Sequence, residues 1–350
     1  MHGGDIYNNS VDMDFSVNLN PYPKFIKDEA AIKRAIDEGI KAAVNYPDIR
    51  QAGVRRVIAE SEGIPASCVY AGSGASELLM AVTSMIKPKK ALLIEPCYSG
   101  YEHALKDCEI IRHVLKEENG FEPDDEVTGM LTGDIDIVFL QNPVNPTGRC
   151  VGREIIDKLI KKAGSLNITV VYDLSFYMLS DDCDAEGGIF KIPDNVFVIG
   201  SYTKSFALPG LRMGYVMASR ENIDALIPYL PEWNLSSVAA SVMKECAGIC
   251  KMGLYLSESR EYIRNEREYL GGELEKLGFK VYKSDTVFLL IKDINGRYGN
   301  LYERLLDKGI LIRKCDDFYG LDGEYYRIAV RVHEENQTLI DRIRQMAYEY

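Results

Sequence analysis

A lysine, two hydroxyl side chains and an arginine lie close together in one stretch of this chain. Ser201 and Thr203 precede Lys204, and Arg212 follows a Pro-Gly turn. Residues 196–200 are apolar and mostly β-branched, which predicts a buried strand that ends at Ser201. Ligands bind at strand ends in open α/β sheets. We therefore expect Lys204 to form a Schiff base with a phosphorylated cofactor, with a solvent-exposed surface lysine as the alternative.

Three further segments carry polar groups at predicted strand or helix ends. Residues 142–148, Asn-Pro-Val-Asn-Pro-Thr-Gly, contain two X-Pro steps that favour a rigid turn and project an amide side chain. Asp173 directly follows Ile-Thr-Val-Val-Tyr and, as a buried carboxylate, requires a cationic partner. Residues 71–77 form a small-residue loop that opens a helix running to Ile86, where free N–H groups could bind an anion. A capped helix start without a ligand is the alternative for that loop.

Strands and helices alternate from residue 91 onward, which predicts an α/β fold with a mostly parallel sheet covered by helices. The predicted domains are an N-terminal arm (1–24), a large domain (25–235), a linking helical stretch (236–278) and a small C-terminal α+β domain (279–350), which the arm completes. The large-domain strands are predicted at 91–94, 110–114, 135–140, 168–172, 196–200 and 215–218. Those of the small domain are predicted at 279–282, 287–292, 310–313 and 326–331, before a terminal helix after Glu334.

Composition restricts the class of protein and its partners. The 350 residues are 46% hydrophobic, enough for a large core, and the formal net charge is -12 without a basic patch. Nucleic acid and anionic membrane surfaces are therefore not expected as partners. No apolar run approaches the roughly 20 residues that cross a bilayer. Eight scattered cysteines, four dispersed histidines and a start without signal-peptide character predict reduced thiols, no metal site and a cytoplasmic location.

The motifs in their order along the chain resemble pyridoxal-phosphate enzymes of the aspartate aminotransferase fold. The resemblance rests on Asn-Pro-Val-Asn-Pro-Thr-Gly, the acid after the next strand, Ser-Tyr-Thr-Lys and Pro-Gly-Leu-Arg-Met-Gly-Tyr. Within that fold the chain looks most similar to the threonine-phosphate decarboxylases of the cobalamin pathway, relatives of the histidinol-phosphate aminotransferases. The His-Gly-Gly start at residues 2–4 and the segments 15–21, 310–313 and 325–331 carry this closer resemblance.

The resemblance implies roles for individual residues. Lys204 would hold pyridoxal 5'-phosphate and move protons, and Asp173 would pair with the ring nitrogen. The other residues expected to hold the cofactor are Asn145 (phenolic oxygen), Tyr98 (ring face), Ala75, Ser76, Ser201, Thr203 and Arg212 (phosphate), and Tyr46, reaching the phosphate of a second subunit. Those expected to hold the substrate are Arg327 (carboxylate) and Arg331, Arg313, Asn20 and His2 (phosphate end).

The implied function is decarboxylation of an O-phosphorylated amino acid, first of all L-threonine phosphate to aminopropanol phosphate, by a homodimer with shared sites. Transamination of histidinol phosphate or an aromatic amino acid is the alternative, because the same residues serve both reactions. A cofactor-binding protein without turnover is a third hypothesis, since Leu174 and Ser175 depart from the family's Glu-Ala. Phe176 likewise stands where the aminotransferases usually carry tyrosine. If the strand continued past Asp173, Tyr177 would point to the opposite face.

Overall fold

A seven-stranded sheet forms the centre of the larger part of the molecule. The computed structural model describes residues 3–22, 29–181 and 192–347. The sheet order is β2-β8-β7-β6-β5-β3-β4, and all neighbours are parallel except those of β8, which runs antiparallel to β2 and β7. The strands are β2 (Val69–Ser73), β3 (Lys90–Glu95), β4 (Glu109–Val114), β5 (Ile137–Gln141), β6 (Thr169–Asp173), β7 (Val196–Ser201) and β8 (Met213–Met217).

Helices cover both faces of this sheet, because its central strands are buried along their whole length. One apolar cluster on each face packs between sheet and helices. The α-helices among the described residues are α1 (Glu29–Ala42), α2 (Ala52–Glu62), α3 (Ala75–Ile86), α4 (Gly100–Ala104), α5 (Glu126–Met130), α6 (Arg153–Ser165), α7 (Tyr202–Ser205), α8 (Arg220–Leu226), α9 (Ser237–Met252), α10 (Leu254–Lys276), α11 (Leu301–Leu306) and α12 (His333–Met346). Among the described helices, none has the length and apolar character to span a membrane.

A smaller α+β part follows α10 and takes in the N-terminal arm. Its antiparallel sheet has the order β12-β13-β10-β9, with β9 (Lys280–Val281), β10 (Phe288–Lys292), β12 (Arg313–Lys314) and β13 (Tyr325–Ala329). The arm joins it through β1 (Met13–Asp14), which pairs in parallel with β11 (Ile310–Leu311). The predicted fold class, including the contribution of the arm to the small domain, is therefore confirmed. The exact domain limits stay a prediction.

Several local predictions need correction. Residues 69–73 form strand β2, which the small residues Ala71, Gly72 and Ser73 concealed in the sequence. The single strand expected at 310–313 is two strands in two different sheets. The strand expected to run to residue 331 ends at Ala329. By contrast, the helical stretch from 236 breaks at Gly253, as predicted, where the backbone takes a positive φ of 75°.

Candidate active site

Polar loops converge at one edge of the large sheet because β5, β6 and β7 are parallel and end side by side. β5 leads into the Asn-Pro turn, β6 ends at Asp173, and β7 ends at Ser201. Both Asn-Pro peptide bonds in the turn are cis. Together with the loop before α3, these segments line a cavity of about 240 Å³. Lys204 and Asp173, which the sequence predicts at neighbouring strand ends, therefore both line this cavity.

Lys204 lies in the one-turn helix α7, directly after β7. Ser201 caps this turn by accepting a hydrogen bond from the Thr203 N–H at 3.2 Å. The Lys204 amine lies 5.7 Å from the centre of the Phe176 ring. Desolvation, followed by the charges of Arg327 and Arg212, lowers the pKa of Lys204 to about 8. A fraction of this amine is therefore neutral near neutral pH and can act as a nucleophile or accept a proton.

Asp173 is buried, with 3% of its surface exposed. Its Oδ2 accepts a hydrogen bond from the Tyr101 hydroxyl at 2.7 Å, and its Oδ1 accepts one from the Ser175 N–H at 2.9 Å. Burial raises the pKa of Asp173, although both hydrogen bonds oppose the shift. Strand β6 stops at Asp173, so the alternation that a longer strand would have given Tyr177 does not apply. A 3₁₀ turn spans Tyr177–Leu179, and Phe176 lines the cavity.

The small-residue loop brings main-chain N–H groups next to a guanidinium. Gly74 precedes α3 at φ 89°, and a Cβ there would lie 2.8 Å from the Arg212 Nη2. A Cβ on Gly214 would lie 2.5 Å from the Gly74 carbonyl carbon, so the loop packs directly on β8. The start of α3, with Ala75 and Ser76, therefore forms a shallow cradle beside Arg212.

The two predicted hydroxyls also line the cavity, but they have main-chain partners. Ser201 Oγ donates to the Met213 carbonyl at 3.0 Å, and Thr203 Oγ1 is 3.2 Å from the same oxygen. A hydroxyl proton can rotate to another acceptor. Tyr98 lies on the cavity wall, edge-on to Tyr101 with ring centres 5.6 Å apart.

Asn145 and Arg327 form one hydrogen-bonded pair across the cavity. The Arg327 Nη1 donates to Asn145 Oδ1 at 2.5 Å, and its Nη2 donates to the Ser16 carbonyl at 2.6 Å. Because Oδ1 is engaged, the Asn145 Nδ2 is the group that can donate to another acceptor. The Arg327 Nε is buried without a hydrogen-bond partner among the described residues. Burial lowers the pKa of Arg327 to about 10, so it stays a cation at neutral pH.

Arg313 enters the cavity already paired with an acid. Its Nη2 donates to both carboxylate oxygens of Asp317, at 2.7 and 2.9 Å, and its Nη1 donates to the Lys314 carbonyl. The guanidinium carbon lies 5.0 Å from the centre of the Phe318 ring, which also lines the cavity. Asp317 therefore fixes the direction of Arg313 and offsets part of its charge.

Three predicted residues that the structure describes do not line the cavity, and a fourth, His2, cannot be placed against it. Asn20 is buried, but its amide bonds to residues of α7 and α10, so the structure does not support phosphate binding by its side chain. Arg331 lies beyond β13 and pairs with Glu335 at 2.8 Å, which is the surface ion pair typical of an i,i+4 spacing. Tyr46 is 81% exposed and packs on Trp233. His2 lies outside the described residues.

Sequence reasoning missed three residues of the site. Asn18 lines the cavity, and its buried Oδ1 has no hydrogen-bond partner among the described residues. Tyr101 holds Asp173, and Gln141 accepts a hydrogen bond from the Asn145 N–H at 3.1 Å. Asn18 and Asn20 are two residues apart in an extended arm, so their spacing could not distinguish them. The three-residue step from Tyr98, just before α4, to Tyr101 inside it was the available signal for Tyr101.

Comparison with known proteins gives consistent matches over nearly the whole chain. Residues 10–343 match the family described as Aminotransferase class I and II. Threonine-phosphate decarboxylase of Salmonella typhimurium is 31% identical, covering 95% of this chain and 91% of that protein. The bifunctional adenosylcobalamin biosynthesis protein CobDQ of Leptospira interrogans is 32% identical over 96% of this chain and 39% of its own length. The crystal structure of histidinol-phosphate aminotransferase from Clostridium acetobutylicum superposes with a TM-score of 0.85 at 28% identity, covering 97% of this chain and 100% of that one.

Proposed function

The chain belongs to the aminotransferase class I and II family, and on this basis we propose that it is a pyridoxal-phosphate-dependent decarboxylase of an O-phosphorylated amino acid. L-threonine phosphate is the first candidate, giving aminopropanol phosphate for cobalamin synthesis, because the decarboxylase and CobDQ relatives exceed 30% identity over almost all of this chain. The observation that carries the proposal is the charge of the cavity. Its lining includes Lys204, Arg212, Arg313 and Arg327, and Asp173 is the one carboxylate among the described residues of that lining.

Four basic side chains line the cavity although the formal net charge of the chain is -12. A phosphorylated amino acid bound beside a phosphorylated cofactor brings three anionic groups: two phosphates and one carboxylate. We assign one arginine to each of these groups: Arg212 beside the start of α3, Arg327 on β13 and Arg313 on β12. An aromatic or aliphatic substrate would leave Arg313 without an anionic partner from the ligand. The charge distribution therefore favours a substrate with an anionic group at each end.

The residues of the cavity fit pyridoxal 5'-phosphate, the cofactor that enzymes of this family use. Asp173 has two neutral hydrogen-bond donors and no ion pair with a described residue, as suits a carboxylate that pairs with a protonated ring nitrogen. The cradle of Gly74, Ala75 and Arg212 suits the cofactor phosphate. Asn145 Nδ2 would donate to the phenolic oxygen, and Tyr98 would contact the ring face. When bound, the cofactor withdraws electrons from the substrate's α-carbon and so makes loss of a carboxylate group feasible.

Lys204 is the residue that we assign to covalent attachment of the cofactor and to proton transfer. A pKa of about 8 makes the amine able to give or take a proton near neutral pH. Phe176 beside it is apolar and limits the access of water to the amine. The same low polarity makes the positive charge of Lys204 costly, which favours transfer of its proton to the reacting carbon.

Arg327 is assigned to the substrate carboxylate. Its contacts with Asn145 and Ser16 hold the guanidinium plane, and each terminal nitrogen keeps a second N–H beyond the one used in these contacts. A guanidinium held in this way can bind a planar carboxylate by donating two parallel hydrogen bonds to it. Asn18 also lines the cavity and would contact the substrate in place of Asn20. Arg313, directed by Asp317, would bind the phosphate end.

The test is incubation of the holoenzyme with L-threonine O-phosphate, with carbon dioxide and keto acid measured in the same reaction. Carbon dioxide in stoichiometric amount with an amino alcohol phosphate is the expected result. L-serine O-phosphate serves as the matched substrate that lacks one methyl group, and unphosphorylated L-threonine tests the need for the phosphate. Keto acid without carbon dioxide would replace decarboxylation with transamination. Turnover retained in Lys204→Ala would refute the assignment of the lysine.

A second copy of the chain is the partner that we propose for the exposed aromatic pair Tyr46 and Trp233. Their ring centres lie 4.8 Å apart, and Val44 beside them is 85% exposed. Such an apolar surface suits burial in a homodimer. There Tyr46 would contribute to the cofactor phosphate site of the other subunit.

Mixing the variants Lys204→Ala and Tyr46→Ala tests the shared site. A mixed dimer would contain one site with an intact lysine and an intact partner tyrosine, so activity should rise after subunit exchange. Activity that stays at the sum of the two separate variants would contradict the shared site.

A further inference from the structure

The lysine turn α7 ends after four residues, in a buried position. Helices leave their last carbonyl groups without intrahelical partners, and buried carbonyls need hydrogen bonds. The Tyr202 and Thr203 carbonyls accept from the N–H groups of Phe206 and Leu208, at 3.0 and 3.2 Å. Ala207 then turns the chain away at φ 50°. The carbonyls of Lys204 and Ser205 both accept hydrogen bonds from residues elsewhere in the chain.

Asn20 of the N-terminal arm supplies a donor to each of them. Its main-chain N–H donates to the Lys204 carbonyl at 3.0 Å, and its Nδ2 donates to the Ser205 carbonyl at 2.9 Å. The Lys204 carbonyl also has two local main-chain donors, the N–H group of Phe206 and, at the longer distance of 3.3 Å, that of Ala207. Asn20 is 5% exposed, so water does not replace these bonds.

Helix α10 holds the Asn20 side chain in place. Asn20 Nδ2 lies 2.7 Å from the Tyr255 hydroxyl and 3.0 Å from Ser259 Oγ. The Tyr255 hydroxyl itself donates to the Ser205 carbonyl at 2.9 Å, which closes a ring of hydrogen bonds. The Tyr255 ring also stacks on Phe206, with centres 5.2 Å apart. Asn20 Oδ1 accepts from the Tyr22 N–H at 3.0 Å, which fixes the orientation of the amide.

We propose that Asn20 is a positioning residue for Lys204, with Tyr255 and Ser259 as its supports on α10. A lysine side chain has four rotatable bonds, so the place of its amine depends on how firmly its main chain is held. The arm that carries Asn20 also carries Ser16, whose carbonyl accepts from Arg327. One short segment therefore links the turn of the reactive amine to the arginine assigned to the substrate carboxylate. The inference rests on the proposed role of Lys204, and its first measurement does not depend on catalysis.

The first measurement is hydrogen exchange of the holoenzyme, followed in peptides that contain residues 206–208. Asn20→Ala removes the Nδ2 donor but keeps the main-chain N–H, and we expect at least tenfold faster exchange of these amides. Tyr22→Phe is the matched control, because it removes another bond from the arm to α10, Tyr22 Oη to Glu258 at 2.8 Å, without touching α7. The control should leave exchange at 206–208 unchanged.

The second measurement follows the amine through the absorption band of the bound cofactor. A displaced lysine turn should move the pH midpoint of that band and lower kcat by about 10- to 100-fold, because small misplacements of reacting groups have such effects. KM should change less than threefold, since Asn20 does not line the cavity. Asn20→Asp keeps the shape and the bond to Tyr22 but loses the donor. Together with Ser259→Ala, it gives a folded comparison if Asn20→Ala does not fold.

Two results would overturn the inference. One is wild-type exchange at 206–208 together with a wild-type cofactor band in Asn20→Asp and in Ser259→Ala. The other is the same change in Tyr22→Phe as in the Asn20 variants, which would indicate general loosening of the arm. Failure of the proposed function has a different signature. In that case Lys204→Ala would keep the cofactor band, while the Asn20 variants would still accelerate exchange at the turn.

Discussion

Replacing Lys204 by methionine should stabilise the cofactor-free protein at neutral pH. Methionine has a similar length and no charge, so Lys204→Met removes the cost of holding an ammonium in the cavity wall. The ordinary pKa of lysine is 10.5 and that of Lys204 is about 8, a difference that corresponds to about 3 kcal/mol. Because Lys204 is only half-buried, we expect about 1 to 3 kcal/mol in the free energy of unfolding.

The pH dependence gives the prediction its sign. The folded protein releases the Lys204 proton near pH 8 and the unfolded chain near pH 10.5. Between these values the unfolded chain binds more protons, so the free energy of unfolding of the wild type rises with pH. The advantage of Lys204→Met should therefore be complete below pH 8 and should shrink as pH rises to about 10.5.

Denaturant unfolding of the cofactor-free proteins at pH 7, 8.5 and 10 measures this difference. Lys244→Met on helix α9 is the matched control, since Lys244 is exposed and its replacement should change the free energy of unfolding little. The rate at which the wild-type protein captures pyridoxal phosphate provides a second measurement, with a midpoint expected near pH 8. A constant or growing difference between Lys204→Met and wild type above pH 8, or a capture midpoint near 10.5, would refute the reasoning.

Three further substitutions should each change a different property: cofactor retention, KM or the free energy of unfolding. Asp173→Asn should stabilise the cofactor-free protein, because burial disfavours the charged carboxylate and raises its pKa. The same substitution should speed cofactor dissociation more than tenfold, as measured by dialysis and absorption. An equal loss of stability in the cofactor-free and cofactor-bound proteins would contradict this expectation. Asp317→Asn should lower KM for the phosphorylated substrate about threefold or more in steady-state kinetics, because Asp317 offsets the charge of Arg313. A raised KM would show that holding the Arg313 side chain in place matters more than offsetting its charge. Glu117→Gln should lower the free energy of unfolding by about 1 kcal/mol at pH 7. Hydrogen bonds from Tyr282 first, and then from lysines of the small sheet, hold the pKa of Glu117 well below its ordinary value of 4.5. The loss should therefore begin to shrink near pH 4.5 and decrease steadily as pH falls toward the lowered pKa of the folded protein. A loss that stays constant from pH 7 down through this range would contradict the assignment.

Strong local patterns made most of the large sheet predictable. The runs at 91–94, 168–172 and 196–200 are continuous and apolar because these strands are buried on both faces, and all three were placed within two residues of their observed limits. Strand 69–73 was not predicted, because its Ala-Gly-Ser end packs against α3 and β8 without needing large side chains. Tertiary packing determined that strand, and local sequence carried little sign of it.

The residues of the site likewise fall into those that local sequence could place and those that tertiary packing determines. Residues at strand ends, such as Asp173 and Lys204, could be placed from the sequence because parallel strands bring their ends together. Residues whose place depends on distant partners could not. Asn20 contacts Ser259, 239 positions later in the chain, and no spacing in the arm indicates that Asn20 faces α10 while Asn18 faces the cavity.

The opposite pKa shifts of Lys204 and Asp173 have one structural cause. Strands β6 and β7 are buried on both faces, so the first polar residues beyond them emerge into a region that the helices and the small domain already screen from water. Burial lowers the pKa of the amine and raises the pKa of the acid, and in both cases it disfavours the charged form. A ligand that brings an electrophile to the amine and a cation to the acid removes both penalties in one binding event. The packing of the central sheet therefore disfavours the charged forms of Lys204 and Asp173 until the proposed cofactor binds. A substitution at either residue that stabilises the cofactor-free protein should accordingly reduce function.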